Sequence, residues 1–272
     1  MRILKINMNN NLWGSDKMNN FNFKVLGNYS PNIRTFGKYK NTCYKLNGFS
    51  KKIFLDFGAG IFFKFLNIIN DEQIDMNDII IIISHNHIDH NLSLLELAIY
   101  LYFYNKKHIQ KKKVKVILPH RSIIYTFIKS LKTVFDVETL NDKTTFDVDN
   151  CKFSFCKTIH KGESYATKIQ SENHSFVYTS DIARFSNELE EFIRNSDTVL
   201  VDAGYPNKIL HSFRNYHGIT SEILKKINQL NVDKILATHI RFFATYRDYI
   251  KSIPKDANVE IVQIDDTHQL FK

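Results

Sequence analysis

Ile79-Ile80-Ile81-Ile82-Ile83-Ser84-His85-Asn86-His87-Ile88-Asp89-His90 sets three histidines and an aspartate directly behind five isoleucines. The isoleucine run is apolar and β-branched throughout, which predicts a strand buried on both faces. Leu92, Leu95, Ile99, Tyr102 and Phe103 then recur at helical spacing. The ligand-type residues therefore fall in a short loop between a buried strand and the start of a helix. Neutral imidazoles and carboxylates are what Zn²⁺, Mn²⁺ or Fe take up, so the loop predicts a metal centre.

Outward from this loop, the chain alternates strand, turn and helix, the signature of α/β layering. On the N-terminal side, Phe23 to Leu26, Cys43 to Leu46 and Lys52 to Gly58 read as strands, followed by a helix from Ile61 to Ile69. On the C-terminal side, strands are expected at Val114–Leu118, Thr144–Val148, Lys152–Phe155, Ser164–Ile169, Ser175–Thr179, Thr198–Val201, Lys234–Ala237 and Val259–Val262. Helices are expected at Ser122–Leu131, at Asn187–Arg194 and after Thr220, a candidate N-cap with Ile223, Leu224, Ile227 and Leu230 on one face. His87, Asp89, His160, Asp181, Asp202 and His239 each stand just past an apolar strand. Loops that leave one edge of a sheet emerge together, so these side chains are expected to converge.

Composition narrows the class. The 272 residues are 43% hydrophobic, enough for a substantial core, and are read as one domain spanning 1–272. Nine glycines and four prolines argue against long flexible linkers. Three cysteines (Cys43, Cys151 and Cys156) lack CxxC spacing, which excludes a disulfide framework and a thiolate zinc site. The net charge of +9 favours an anionic partner, although a Lys-, Asn- and Ile-rich coding bias produces the same balance. Met1 to Asn10 is too quickly polar for a signal peptide, and no apolar run approaches the ~20 residues of a membrane helix. The expectation is a cytoplasmic enzyme without a membrane partner.

His85-x-His87-x-Asp89-His90, a later His160, Asp181 ending Tyr-Thr-Ser-Asp, and Thr238-His239 together resemble the metallo-β-lactamase fold from Phe23 to about Asp266. The resemblance implies a four-layer αββα sandwich of two mixed sheets. It also implies two divalent metals, zinc before manganese. By family position, His85, His87 and His160 hold the first metal, while Asp89, His90 and His239 hold the second. Asp181 bridges both, with a hydroxide between them, and Asp56 supports the metal loop from behind.

β-Lactamases of the family usually carry a cysteine at the bridging position, where this chain has Asp181. Val201-Asp202-Ala203 followed by His217-Gly218-Ile219-Thr220 resembles instead the ribonuclease Z-like phosphodiesterases. Their late histidine protonates the leaving oxygen and an acidic residue orients it, so Asp89, His217 and Asp202 become the catalytic set. The hairpin between His160 and Asp181 is short, and no protruding RNA-gripping arm is visible. The compact pattern is similar to the anti-Pycsar phosphodiesterases, which open 3′,5′-cyclic mononucleotides. That substrate is the expectation, in a homodimer, with ribonuclease Z-type tRNA 3′-processing as the alternative. The complete ligand set argues against a non-catalytic scaffold, and a thioester or lactam hydrolase leaves Asp202 and His217 without a task. Arg241 and Arg214 are candidate substrate contacts, with Arg34, Lys161 and Arg184 behind them. His108, His120, His174, His211 and His268 have no partner spacing and are read as surface residues. Residues 9–22, with Trp13, form either a loop, a hairpin or a cap.

Overall fold

The isoleucine run divides its side chains between two cores. Ile80 and Ile82 face one apolar cluster and Ile79, Ile81 and Ile83 another, because successive residues of a strand point to opposite faces. A computed structural model describes residues 21–30, 40–120, 123–206, 216–239 and 246–270.

Strands β1 (Asn22–Gly27), β2 (Cys43–Asn47), β3 (Lys52–Leu55), β4 (Ile79–Ile82), β5 (Val114–Pro119) and β6 (Phe135–Leu140) lie in that order, with β14 (Thr267–Gln269) added beside β1. A second sheet holds β7 (Thr145–Val148), β8 (Cys151–Lys157), β9 (Tyr165–Gln170), β10 (Ser175–Tyr178), β11 (Thr198–Asp202), β12 (Lys234–Thr238) and β13 (Val259–Ile261). Each is a mixed sheet of seven strands. Strands β3 to β6 run parallel in the first sheet, and β10 to β13 in the second.

The core between the sheets includes Phe23, Tyr44, Phe153, Phe176, Tyr178, Leu200 and Leu236. Helices α1 (Phe62–Asp71), α3 (Ser93–Lys107) and α4 (Ile123–Ser130) cover the outer face of the first sheet. Helices α5 (Asn187–Ile193) and α6 (Thr220–Asn228) cover the second, and α7 (Tyr246–Ser252) packs Tyr249 against Ala203 and Ala237. The short α2 (Ile88–Asn91) is one turn inside the ligand loop. This is the expected αββα sandwich. No described helix is long and apolar enough to cross a membrane.

Three local expectations fail for physical reasons. The long helix buries Leu94, Leu97, Ala98 and Leu101, whereas Ile99 and Phe103 are 59% and 55% exposed. That helix is apolar nearly all round, so spacing alone did not choose its inner face. Thr220 is not the N-cap of α6, because Ile219 holds that position and the Thr220 hydroxyl donates to the Ala203 carbonyl instead. His268, read as a surface residue, is buried and stacks on Phe23. Strands β6 and β14 and helix α7 escaped the sequence reading; both strands are sheet edges, where sparse apolar patterning is normal.

Candidate metal centre

Parallel strands deliver the expected residues to one edge. Asp56 follows β3, the His85–His90 loop follows β4, His160 follows β8, Asp181 follows β10, Asp202 ends β11 and His239 follows β12. The two sheets meet there: the Tyr165 N–H donates to the Ser84 carbonyl (3.0 Å), and His85 bridges to Ser164. Asp56, Ser180 and His239 all take left-handed backbone angles, with φ of 59°, 57° and 58°. Such angles cost a non-glycine residue about 1–2 kcal/mol each and tend to gather at functional sites. Gly58 and Gly204 allow close approaches. A Cβ at Gly58 would stand 2.1 Å from the Asp89 carbonyl oxygen, and one at Gly204 would stand 2.3 Å from that of Gly218.

His85 Nε2 and His160 Nε2 each lie 3.1 Å from His87 Nδ1. The hydrogen bonds behind these rings fix their tautomers. The Ser180 hydroxyl donates to Ser84 Oγ (2.7 Å), and Ser84 Oγ donates to Asp56 Oδ2 (2.9 Å). Both hydroxyl protons are thus committed, so His85 Nδ1–H donates to the serine oxygens, 3.2 Å away, and Nε2 keeps its lone pair. His160 Nδ1–H donates to the Tyr216 carbonyl, which leaves its Nε2 as a lone pair too. Burial drives His85 well below the ordinary histidine range, with the His90 charge adding to it and Asp181 opposing. His87 and His160 move the same way, first through burial; His160 adds to the shift of His87 and His217 to that of His160, while Asp181 opposes both. Burial thus favours the neutral form of all three imidazoles, and His85 and His160 turn their Nε2 lone pairs towards His87 Nδ1.

The second group is buried throughout and rich in carboxylates. His90 Nδ1–H donates to Asp56 Oδ2 (2.8 Å), and its Nε2 faces Asp89 Oδ2 and Asp181 Oδ1, each 3.4 Å away. His239 Nε2 lies 3.0 Å from Asp89 Oδ2. Burial alone would lower His90, but Asp181, Asp89 and Asp56 together raise it well above the usual value. Burial opposes charge on Asp89 and Asp181, yet the surrounding imidazoles hold both well below the carboxylate range.

Asp181 stands between the groups. Its Oδ2 faces His85 Nε2 (3.6 Å) and His160 Nε2 (4.0 Å), and its Oδ1 faces His90 Nε2 (3.4 Å) and His239 Nδ1 (3.2 Å). Beside it, Asp202 Oδ2 accepts from His217 Nδ1–H (2.7 Å), while Oδ1 accepts from the Gly204 N–H (2.7 Å) and faces His239 Nδ1 at 3.2 Å. Burial disfavours the Asp202 charge, but His217 and His239 outweigh it and keep the carboxyl ionised. The His217 loop is tied down by its backbone, Gly218 N–H donating to Ile182 and Tyr205 N–H to Gly218.

The donor set fits divalent metal. Tetrahedral ligands at about 2.0–2.1 Å from zinc stand roughly 3.3 Å apart, close to the nitrogen spacing in the first group. His90 Nε2 and Asp89 Oδ1 in the second group, and Asp181 Oδ2 facing the first, are buried without a hydrogen-bond partner. Buried polar atoms are rarely left so, and a cation in each group would satisfy them. The ligand atoms of His85, His87, His160 and Asp181 lie within 4.8 Å of one another, as do those of Asp89, His90, Asp181 and His239.

Every expected metal-type residue is thus at one edge, with His217 and Asp202 beside them. Asp56 supports the loop as expected, accepting from Ser84 N–H (2.7 Å), Ser84 Oγ, His90 and the Tyr178 hydroxyl (2.6 Å). The sequence reading missed Ser84, Ser180 and Tyr178; they flank ligands in Ser84-His85 and Tyr178-Thr179-Ser180-Asp181, the only signal available. Arg214, Arg241, Arg34, His211 and Trp13 lie outside the described residues.

Residues 67–240 match the model of the beta-lactamase superfamily domain, well over half of the chain, and the chain belongs to that superfamily. Its structure is similar to the metallo-beta-lactamase fold protein YhfI from Bacillus subtilis (TM-score 0.75, 18% identity, 92% of this chain and 99% of that one). It is also similar to a diphosphatase of the PhnP family (0.69, 15%, 93% and 100%) and to a long-form RNase Z from yeast (0.68, 16%, 94% and 42%). At these identities the likeness shows the fold alone. No curated protein matches the chain in sequence.

Proposed function

We propose that the chain is a binuclear metal-dependent phosphodiesterase that opens a small nucleotide phosphodiester, a 3′,5′-cyclic mononucleotide. The observation that carries the reading is His217, paired through Nδ1 with a buried Asp202 while its Nε2 stands 3.7 Å from Asp181 Oδ2. A carboxylate-held imidazole beside the metal-type residues suits a phosphodiester, whose alkoxide leaving group needs a proton.

His85, His87 and His160 would hold one ion and Asp89, His90 and His239 the other, with Asp181 available to both. Such ions would supply an activated water and would offset the charge that grows on the phosphoryl oxygens. Asp202 keeps His217 Nδ1–H in place and stabilises the imidazolium, so the transferable proton sits on Nε2. Oδ1 of the same carboxylate faces His239 Nδ1, which couples the orientation of the proton donor to that of a proposed ligand. The whole chain is read as one domain, in a cytoplasmic homodimer, which light scattering on the eluted protein checks.

Metal-loaded protein incubated with cyclic mononucleotides and with pre-tRNA tests the substrate. Opening of the cyclic nucleotide is expected, and cleavage of the RNA alone overturns it. The tRNA reading stays second because the yeast RNase Z shares the fold and the chain carries a net charge of +9. His217→Ala is expected to keep both ions and lose roughly 10²–10⁴-fold in turnover. An unaltered rate removes His217 from the chemistry.

A further inference from the structure

A cleft of about 610 Å³ opens beside His87, the half-buried member of the first ligand group. Lys157, Lys161, His120, Glu163 and Tyr216 line it. These residues come from separate places in the chain that the topology gathers. Lys157 ends β8, Lys161 and Glu163 follow His160, His120 follows β5 at the same sheet edge, and Tyr216 precedes His217. Lys161 Nζ donates to the Tyr216 hydroxyl and lies over its ring, 4.8 Å from the centroid. One contact of a three-donor ammonium is thereby used to hold it at the cleft wall. The larger cleft of about 740 Å³, near Ser50, Lys113 and Asp149, lies at the other end of the sheets and touches none of the ligand loops.

Two ammonium groups and an imidazole against one carboxylate make a cationic cleft directly beside the metal centre. Hydrolysis of a phosphodiester turns a monoanion into a monoester whose second ionisation falls near pH 6, so close to two charges are present at neutral pH. We infer that this cleft is a phosphate subsite, in which Lys157, Lys161 and His120 hold a phosphate dianion next to His87. The inference rests on reading the neighbouring site as a phosphodiesterase. The phosphate has two sources: the monoester of a ring-opened cyclic nucleotide, or the terminal 5′-phosphate of a strand. Glu163 works against the anion, which gives the subsite a second, opposite handle.

The test uses metal-free protein in chelator, titrated calorimetrically with inorganic phosphate at low salt, so that binding does not depend on turnover. Wild type is expected to bind; Lys157→Met/Lys161→Met is expected to bind about tenfold more weakly or worse, and Glu163→Gln more tightly. No binding by wild type, or equal binding by all three proteins, overturns the subsite. With metal restored, weaker inhibition of Lys161→Met by a nucleoside monophosphate assigns the phosphate to product. A rate advantage for a 5′-phosphorylated dinucleotide over the unphosphorylated one, lost in Lys161→Met, assigns it to a strand. If no phosphodiester is cleaved, the functional reading fails while the titration still decides the subsite.

Discussion

The two ligand groups share one loop and differ in nearly everything else. His85, His87 and His160 form a group of neutral imidazoles, one of them half open to solvent. Asp89, His90 and His239 form a buried group with a carboxylate among them, in which His90 is pushed towards its charged form. The first group faces the cleft and the second faces the protein. Neutral nitrogens bind a cation without giving up protons, whereas a buried cluster of carboxylates needs positive charge even before a metal arrives. In the metal-free protein Asp181, Asp89 and Asp56 push His90 towards that charged form against the cost of burial. The difference teaches that one site is built for access and the other for charge balance.

The strongest way to break the comparison is to remove what the two groups have in common. Asp181→Ala is expected to abolish activity and lower metal affinity by well over about 100-fold, since even residues behind the ligands are worth 10–100-fold. Metal analysis of the purified variant checks this; two ions retained per chain would contradict the shared role.

A smaller change separates the groups. Asp56 touches His90 directly but reaches His85 only through Ser84 and Ser180. Asp56→Asn places an amide where four donors converge. It is expected to weaken the second ion about 10–100-fold and the first ion less, with a stability loss of about 1–3 kcal/mol. Equal weakening of both ions in a metal competition assay would show that the network does not distinguish them.

The smallest effect is a matter of protons. At pH 7 the imidazoles of the first group, depressed by burial, are already deprotonated. His90 in the second group is raised and must release a proton when metal binds. Metal added to weakly buffered apo-protein is therefore expected to release about one proton from His90, and none from His85, His87 or His160. An indicator dye reads the release. A His87→Ala protein, which keeps the second group, should still show it; a silent dye in that variant would remove the charge difference between the groups.

How much of this was legible depended on whether a signal was local. The His85–His90 loop was plain because its spacing lies within one turn of chain. The other expected ligands were legible because each follows an apolar strand. Ser84, Ser180 and Tyr178 were not, because a serine beside a ligand looks like any loop serine until Ser180, Ser84 and Asp56 stand in line. His120 looked like a surface histidine because its partners at the cleft come from β8 and from the turn before His217. The inner face of the long helix was misread because a helix that is apolar all round has no periodic preference to reveal.

By itself, the amino-acid sequence determined the buried strands, the layered α/β class and the residues that gather at one edge. Those follow from periodicity and from the rule that parallel strands place their following loops together. Only the tertiary structure decided which ring nitrogen faces the centre, which carboxylate oxygen faces which group, and that Lys157 and Lys161 share a cleft with His87, His120 and Tyr216. Those choices depend on hydrogen bonds and approaches between residues far apart in the chain, and no local pattern encodes them.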